Sequence, residues 1–166
     1  DQGFGATATG TPRTWTYTYN PYGLVLTADG PRTDVTDVTA YTYHADNATC
    51  ANTAVGASTI GCRGQINTVT NAAGHVTTIA EFNAHGQPLL ISDANGLVTT
   101  LAYDVRMRLV SRNVGGETTT YTYDGVGQLT QVTLPDASYI EYQFDPAHRL
   151  TEIRLFGPGA PGTLIG

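Results

Sequence analysis

The sequence predicts an all-β chain: about six β-hairpin repeats laid side by side in one continuous, coiled antiparallel sheet. Three observations predict it. An aromatic residue followed by Asp or Asn recurs at Tyr19-Asn20, Phe82-Asn83, Tyr103-Asp104, Tyr123-Asp124 and Phe144-Asp145, with Tyr43-His44 as a weaker sixth member. The last four doublets are spaced by 21, 20 and 21 residues, a period in the range of repeat architectures. Two strands of about six residues and two turns of about four fill such a unit. Finally, aromatic and polar residues alternate in Tyr121-Thr122-Tyr123 and Tyr142-Gln143-Phe144, which puts the aromatics on one sheet face.

Each element has its own reason. About one residue in six is threonine, which with tyrosine favours a pleated, half-buried surface and disfavours helix. Asp124 opens a turn that closes at Gly127; Asp accepts local backbone bonds and Gly permits positive φ. Gly23, Gly64 and Gly86 occupy the same place, and Asn20-Pro21 and Asp145-Pro146 set the turn with Pro second. A second turn recurs at Asn71 to Gly74, Asp93 to Gly96 and Asn113 to Gly116. Met107 and His148 stand where other repeats have Gly, so those two turns are expected to avoid positive φ. In Leu129-Thr130-Gln131-Val132, and again at Leu150 and Ile153, apolar residues are three apart. A flat strand would put them on opposite faces, so either a bulge realigns them or both faces are partly covered.

In chain order, residues 1–13 read as a Gly-, Ala- and Thr-rich linker or frayed strand. The array follows over 14–156, beginning with Trp15, Tyr17 and Tyr19 on one face, and 157–166 reads as an extended tail rich in Pro and Gly. One irregular segment, 44–63, interrupts the array, and Gly64-Gln65-Ile66 then resumes it in the manner of Gly127-Gln128-Leu129. The extra residues therefore enlarge one hairpin turn. They hold both cysteines, Cys50 and Cys62. A disulfide across that span would stabilise by about 3 kcal/mol in the chain-entropy model. Two reduced, buried thiols are the alternative in a cytosol.

The formal charge is −6, and all eight basic residues are arginine with no basic cluster, which argues against nucleic acid or an anionic membrane as partner. No apolar run is long enough for a helix to span a bilayer. The chain opens at Asp1 without a charged and apolar leader, and both ends break mid-pattern, so a processed chain or a fragment is expected.

Chemistry is sparse. His44, His75, His85 and His148 lie in or near turns, where a solvated role is the ordinary one. His44, Cys50, Cys62 and His75 can be drawn together as zinc ligands, but their spacing matches no compact zinc pattern. There is no nucleophile elbow or phosphate loop. The turn Asp and Asn residues lack the run of a calcium loop. No enzyme activity, cofactor or metal is expected. The aromatic column, Tyr19, Tyr43, Phe82, Tyr103, Tyr123 and Phe144, reads as packing between repeats, with a sugar-stacking platform as the lesser alternative.

The motif Y-x-Y-D-x-x-G-x-L-T-x-V-x-x-P-D, best matched by YTYDGVGQLTQVTLPD and next by YQFDPAHRLTEI, resembles the YD repeat of the RHS family. The resemblance covers roughly Thr14 to Phe156, and the two-cysteine excursion ending CRGQ also looks like RHS proteins of proteobacteria. It implies a strip of hairpins of the kind that RHS and teneurin-type proteins wind into a hollow shell. In bacterial toxin systems, Tc toxins among them, the shell encloses a C-terminal toxin; other RHS proteins sit on the cell surface. The self-cleaving core that ends such shells has no counterpart here, since Asp145-Pro146 lacks the pattern that should follow it. The resemblance thus implies an exported piece of shell or fibre wall that encloses, displays or delivers an effector. Its partners would be neighbouring YD repeats of the same or another chain. The alternative is a surface adhesin that binds carbohydrate or protein through exposed aromatics. Buried Tyr19, Tyr103, Tyr123 and Phe144 would favour the wall; an exposed row would favour the adhesin.

Overall fold

The computed structural model describes residues 12–52 and 58–159, with only the backbone of Ser58. The expected terminal linker and tail lie largely outside the described residues. Among the described residues there is no helix, and fourteen strands form one sheet that does not close. Six hairpins lie in sequence order. They are β1 (Thr16–Tyr19) with β2 (Val25–Asp29), β3 (Val38–Tyr43) with β6 (Ile66–Thr70), and β7 (Val76–Phe82) with β8 (Pro88–Ser92). Then come β9 (Val98–Tyr103) with β10 (Leu109–Val114), β11 (Glu117–Tyr123) with β12 (Leu129–Thr133), and β13 (Tyr139–Phe144) with β14 (Leu150–Phe156). The other two strands, β4 (Thr49–Asn52) and β5 (Ser58–Gly61), form an extra hairpin between β3 and β6.

One device closes the turn after each Asx doublet. In the Tyr123-Asp124 turn, Asp124 N–H donates to Gln128 O (3.0 Å) and Gly127 N–H to Asp124 O (3.2 Å). Asp124 Oδ1 also accepts from the backbone amides of Val126 (3.0 Å) and Gln128 (2.8 Å). Asn20, Asn83, Asp104 and Asp145 do the same with the amides two and four residues on. The doublet's second residue is thus a turn-closing side chain, and each such bond contributes about 0.5–1.5 kcal/mol. The residue three beyond the Asx has positive φ in each: Gly23 81°, Gly86 79°, Gly127 103°, and also Met107 64° and His148 64°; Gly64, which closes the enlarged turn after His44, has 70°. The expectation that Met107 and His148 avoid positive φ is therefore corrected. The Asx side chain and the two backbone bonds hold the left-handed conformation whichever residue occupies it. Ala137, at 66°, is a third case, in the second kind of turn. Between β10 and β11 the turn is tighter than expected: Val114 pairs with Glu117, and Gly115-Gly116 make a two-residue loop with φ of 60° and 100°, as primed hairpin turns require.

The three-residue spacing is resolved by a bulge. Thr122 pairs with Gln131 but Tyr123 pairs with Leu129, leaving Thr130 unpaired. Leu129 and Val132 consequently share the face of Tyr123 and Tyr121. Every hairpin shifts register at its doublet aromatic, skipping Leu26, Asn67, Leu89, Val110, Thr130 and Thr151 in turn. The result is one face of aromatic and aliphatic residues and an opposite face rich in threonine. Thr18–Thr27 and Thr42–Thr68 hydroxyl pairs lie on the latter, each at 2.6 Å.

The sheet is thin. Among the described residues, Phe82, Leu89, Cys50 and Cys62 are the buried apolar ones. Tyr103, Tyr123 and Phe144 are half-buried, while Trp15, just before the first strand, and Tyr17 and Tyr19 on it are 53%, 51% and 58% exposed. Neither the fully buried column nor the fully exposed row is what the strands present. Among the described residues β1 pairs only with β2 and β14 only with β13, so both edges are open.

Candidate functional site

The excursion keeps the bonds of the turn that it enlarges. His44 N–H donates to Gln65 O (2.9 Å), and Gly64 N–H donates to His44 O (3.2 Å). These are the two backbone bonds of every other doublet turn. The segment from Ala45 to Arg63 replaces the two central residues. It folds back on itself because β4 and β5 pair from Thr49↔Gly61 to Asn52↔Ser58. Cys50 and Cys62 form a disulfide with Cα atoms 5.7 Å apart, joining the start of this small hairpin to its end. Both are buried, and with Phe82 they make a compact core against which Ala48, Ile60 and Ile79 pack. The excursion reaches β7 because β6 lets go of it. The β6–β7 pairing runs from Thr70↔Val76 to Thr68↔Thr78, and β4 pairs with β7 beyond it, in parallel, at Ala51↔Glu81.

His44 is not the solvated turn residue that its position suggested. With the turn opened, the amide four residues on, that of Ala48, donates to Ala45 O instead (3.0 Å). Its half-buried ring turns inward, edge-on to Phe82 with centroids 5.8 Å apart, and its Nε2 lies 3.4 Å from Ile79 O. Both ring nitrogens are 3.7 Å from Cys50 Sγ. His44, Cys50 and Cys62 thus come together, with ligand atoms within 4.8 Å of one another. His75 does not join them; it bonds to Asn71 in its own turn. His85 and His148 are exposed in theirs.

Beside this core lies a groove of about 410 Å³ lined by Tyr22, His44, Asp46 and Arg63 among others. Asp46 accepts from the Tyr22 hydroxyl at 2.9 Å and pairs with Arg63 at 3.4 Å, clasping the excursion to the preceding turn. The hydrogen bond to Asp46, and the charge behind it, hold the Tyr22 hydroxyl above its ordinary pKa. Sequence reading missed this clasp, which joins residues 24 apart through no motif.

It also missed how successive turns bind one another. Gln87 Nε2 donates to Met107 O and Gln128 Nε2 to His148 O, both at 2.9 Å. Arg106 Nη1 donates to Gly125 O at 2.8 Å. Arg108 is gripped by Asp104 and lies over the Tyr123 ring at 4.4 Å. The hydroxyls of Tyr43 and Tyr123 reach back to Val25 O and Leu109 O of the previous repeat (2.6 and 2.9 Å). The recurring Gln four residues past the Asx, at 87 and 128, was the available signal.

The geometry agrees with the comparisons. The RHS Repeat family model matches residues 108–139 and 123–157, the last hairpins of the array. No curated protein matches the chain. Among solved structures, it is similar to the crystal structure of TcdB2-TccC3-Cdc42, with TM-score 0.62 and 18% identity over 89% of this chain and 7% of that one. It is also similar to the Photorhabdus luminescens Tc holotoxin pore, with TM-score 0.53 and 15% identity over 90% of this chain and 9% of that one. A third likeness is to TcdB2-TccC3 without its hypervariable C-terminal region, with TM-score 0.51 and 16% identity over 92% and 9%. At these identities the likeness is one of fold, and the chain spans under a tenth of each of those chains. Residues 108–157 thus match the RHS repeat, and the hairpins before them close their turns in the same way.

Proposed function

We propose that the chain is structural: a segment of an RHS-repeat shell or fibre wall, exported from a bacterium, that helps enclose, display or deliver an effector. The observation that carries this reading is the pair of open edges on a sheet whose repeats are bound to each other turn by turn. Nothing in the hairpin pattern ends the array, so each edge offers unpaired N–H and C=O groups to a further strand. Trp15 just before β1, Tyr17 and Tyr19 on β1, and Leu150, Ile153 and Leu155 on β14 are 41% exposed or more, which suits them to covering by neighbouring repeats of the same or another chain. The likeness of fold to structures of Tc toxin complexes supports this reading, in which the chain serves as a scaffold.

Light scattering on the isolated chain tests it. Mass should grow with concentration as edges pair, and Tyr17→Lys, which places a charge on the β1 edge, should suppress the growth. A stable monomer across a wide concentration range would refute edge pairing.

The adhesin reading keeps one observation in its favour, the exposed Trp15, Tyr17, Tyr19 and Tyr22. A glycan array separates the two: binding lost on Trp15→Ala in a chain that no longer assembles would favour the adhesin.

A further inference from the structure

We propose that, once its disulfide is reduced, the chain binds a zinc ion through His44, Cys50 and Cys62. The three ligand atoms already lie within 4.8 Å of one another. Tetrahedral zinc, with Zn–N near about 2.0 Å and Zn–S near about 2.3 Å, sets nitrogen and sulfur about 3.6 Å apart. Cys50 Sγ stands 3.7 Å from both His44 ring nitrogens, so the separation already suits a shared ion, and rotation of the imidazole and the cysteine side chain would bring one nitrogen's lone pair onto it. The two sulfurs must separate to about 3.8 Å across such an ion. Their Cα atoms, 5.7 Å apart, allow this by side-chain rotation.

Orientation points the same way. His44 Nε2 lies 3.4 Å from Ile79 O; in the tautomer that donates there, Nδ1 is left as the ligand atom. Metal-ligating histidines are commonly fixed by such a bond from the other ring nitrogen. Phe82, Ile60 and Ile79 wall the sulfurs off from solvent, while His44 borders the groove beside Asp46 and Arg63. That groove gives the ion a route and leaves a water as fourth ligand. Asp46 is already held by Tyr22 and Arg63. The sequence adds an independent sign. Five of the six doublets carry Asn or Asp where this one carries His44. The repeat therefore departs from its own pattern at the residue that completes a His, Cys, Cys set.

The chemistry balances. A dithiol supplies two electrons and two protons, the Cys50–Cys62 bond opens to two thiols, and the dithiol closes into its own disulfide. Each thiol then gives its proton to solvent as it binds the metal. Bond and ion are alternatives at one place, the ion favoured in a reducing compartment and the bond in an oxidising one.

The test uses the whole chain, reduced anaerobically with a water-soluble phosphine, itself oxidised to the phosphine oxide with oxygen from water. Cobalt(II) is then titrated as a probe for zinc. One equivalent should give sulfur-to-cobalt charge-transfer absorption and tetrahedral visible bands, and zinc should bleach both. Zinc should also protect both thiols from a maleimide. His44→Asn, which restores the residue of the other doublets, should weaken cobalt binding by about tenfold or more, while His75→Ala should leave it unchanged. The oxidised chain should bind none. Absence of the charge-transfer band would overturn the proposal, as would affinity indifferent to His44→Asn. Loss of strand signal on reduction that zinc does not restore would equally overturn it. Circular dichroism of oxidised His44→Asn shows that the variant folds.

Discussion

Gly127 and Met107 are equivalent positions with opposite residues, and exchanging their characters tests the turn. Gly127 has φ of 103° and Met107 of 64°. A non-glycine residue in the left-handed region costs about 1–2 kcal/mol, more when β-branched. A Cβ at Gly127 would meet only Arg108 Nη1, at 3.5 Å, so the cost of substitution there is backbone strain and not collision. Gly127→Val should therefore cost about 2 kcal/mol. Met107→Gly relieves about 1–2 kcal/mol of strain but loosens the unfolded chain by about 0.4–1 kcal/mol. It also gives up a side chain that is 49% exposed, worth about 1 kcal/mol of burial. The sum lies near zero. The bonds of Met107 to Asp104 and Gln87 are made by its backbone and survive. Urea unfolding of each variant measures both, and a constant slope shows that stability alone has changed. For a chain of this length the Gly127→Val loss corresponds to about 4–8 °C in Tm. If Met107→Gly cost more than about 1 kcal/mol, or Gly127→Val were neutral, the common left-handed position would be refuted.

The other expectations are briefer. Reducing Cys50–Cys62 without metal should remove about 3 kcal/mol for the 12-residue separation. Limited proteolysis should then cut between Ala45 and Gly61 and leave the later hairpins whole. The carboxyls of Asp104 and Asp145 are held below their ordinary pKa, foremost by the backbone amides of Arg108 and Arg149. At Asp124 partial burial pushes upward, but the amides of Gln128, Gly127 and Val126 outweigh it and the carboxyl again lies low. Their stabilisation is thus complete above the unfolded carboxylate value of about 3.9 and is lost as pH falls through the depressed folded values. Asp104→Asn, Asp124→Asn and Asp145→Asn combined should flatten that acid limb, because Asn20 and Asn83 close the same turn without a charge; an unchanged unfolding midpoint-versus-pH curve would contradict this. Tyr123→Phe should cost about 0.5–1.5 kcal/mol through loss of the bond to Leu109 O, whereas His85→Ala, on an exposed turn, should change stability by about 0.5 kcal/mol or less.

The parts of the fold that were legible are those decided locally. Alternation over Tyr121-Thr122-Tyr123 and the Asx doublets reflect neighbouring residues on one strand or in one turn, and they located the hairpins. Met107 and His148 were misread because residue type argues against positive φ, while the conformation is imposed from outside the residue. Asp104 and Asp145 accept the turn amides, and Gln87 and Gln128 hold the Met107 and His148 carbonyls in the next turn. Such over-determined backbone tolerates the strain. The place of His44 was illegible for a related reason: it is set by Ile79, 35 residues away, through a β4–β7 pairing that only exists because β6 releases β7 early. The three-residue apolar spacing was the most informative irregularity. It looked like a fault in the strand pattern, and it is the mark of a bulge repeated at Leu26, Asn67, Leu89, Val110, Thr130 and Thr151. A bulge sharpens local twist, and one placed at the same step of every hairpin adds its increment each time. Curvature of the strip is therefore written into each repeat, and lengthening the array extends the same bend rather than a flat sheet.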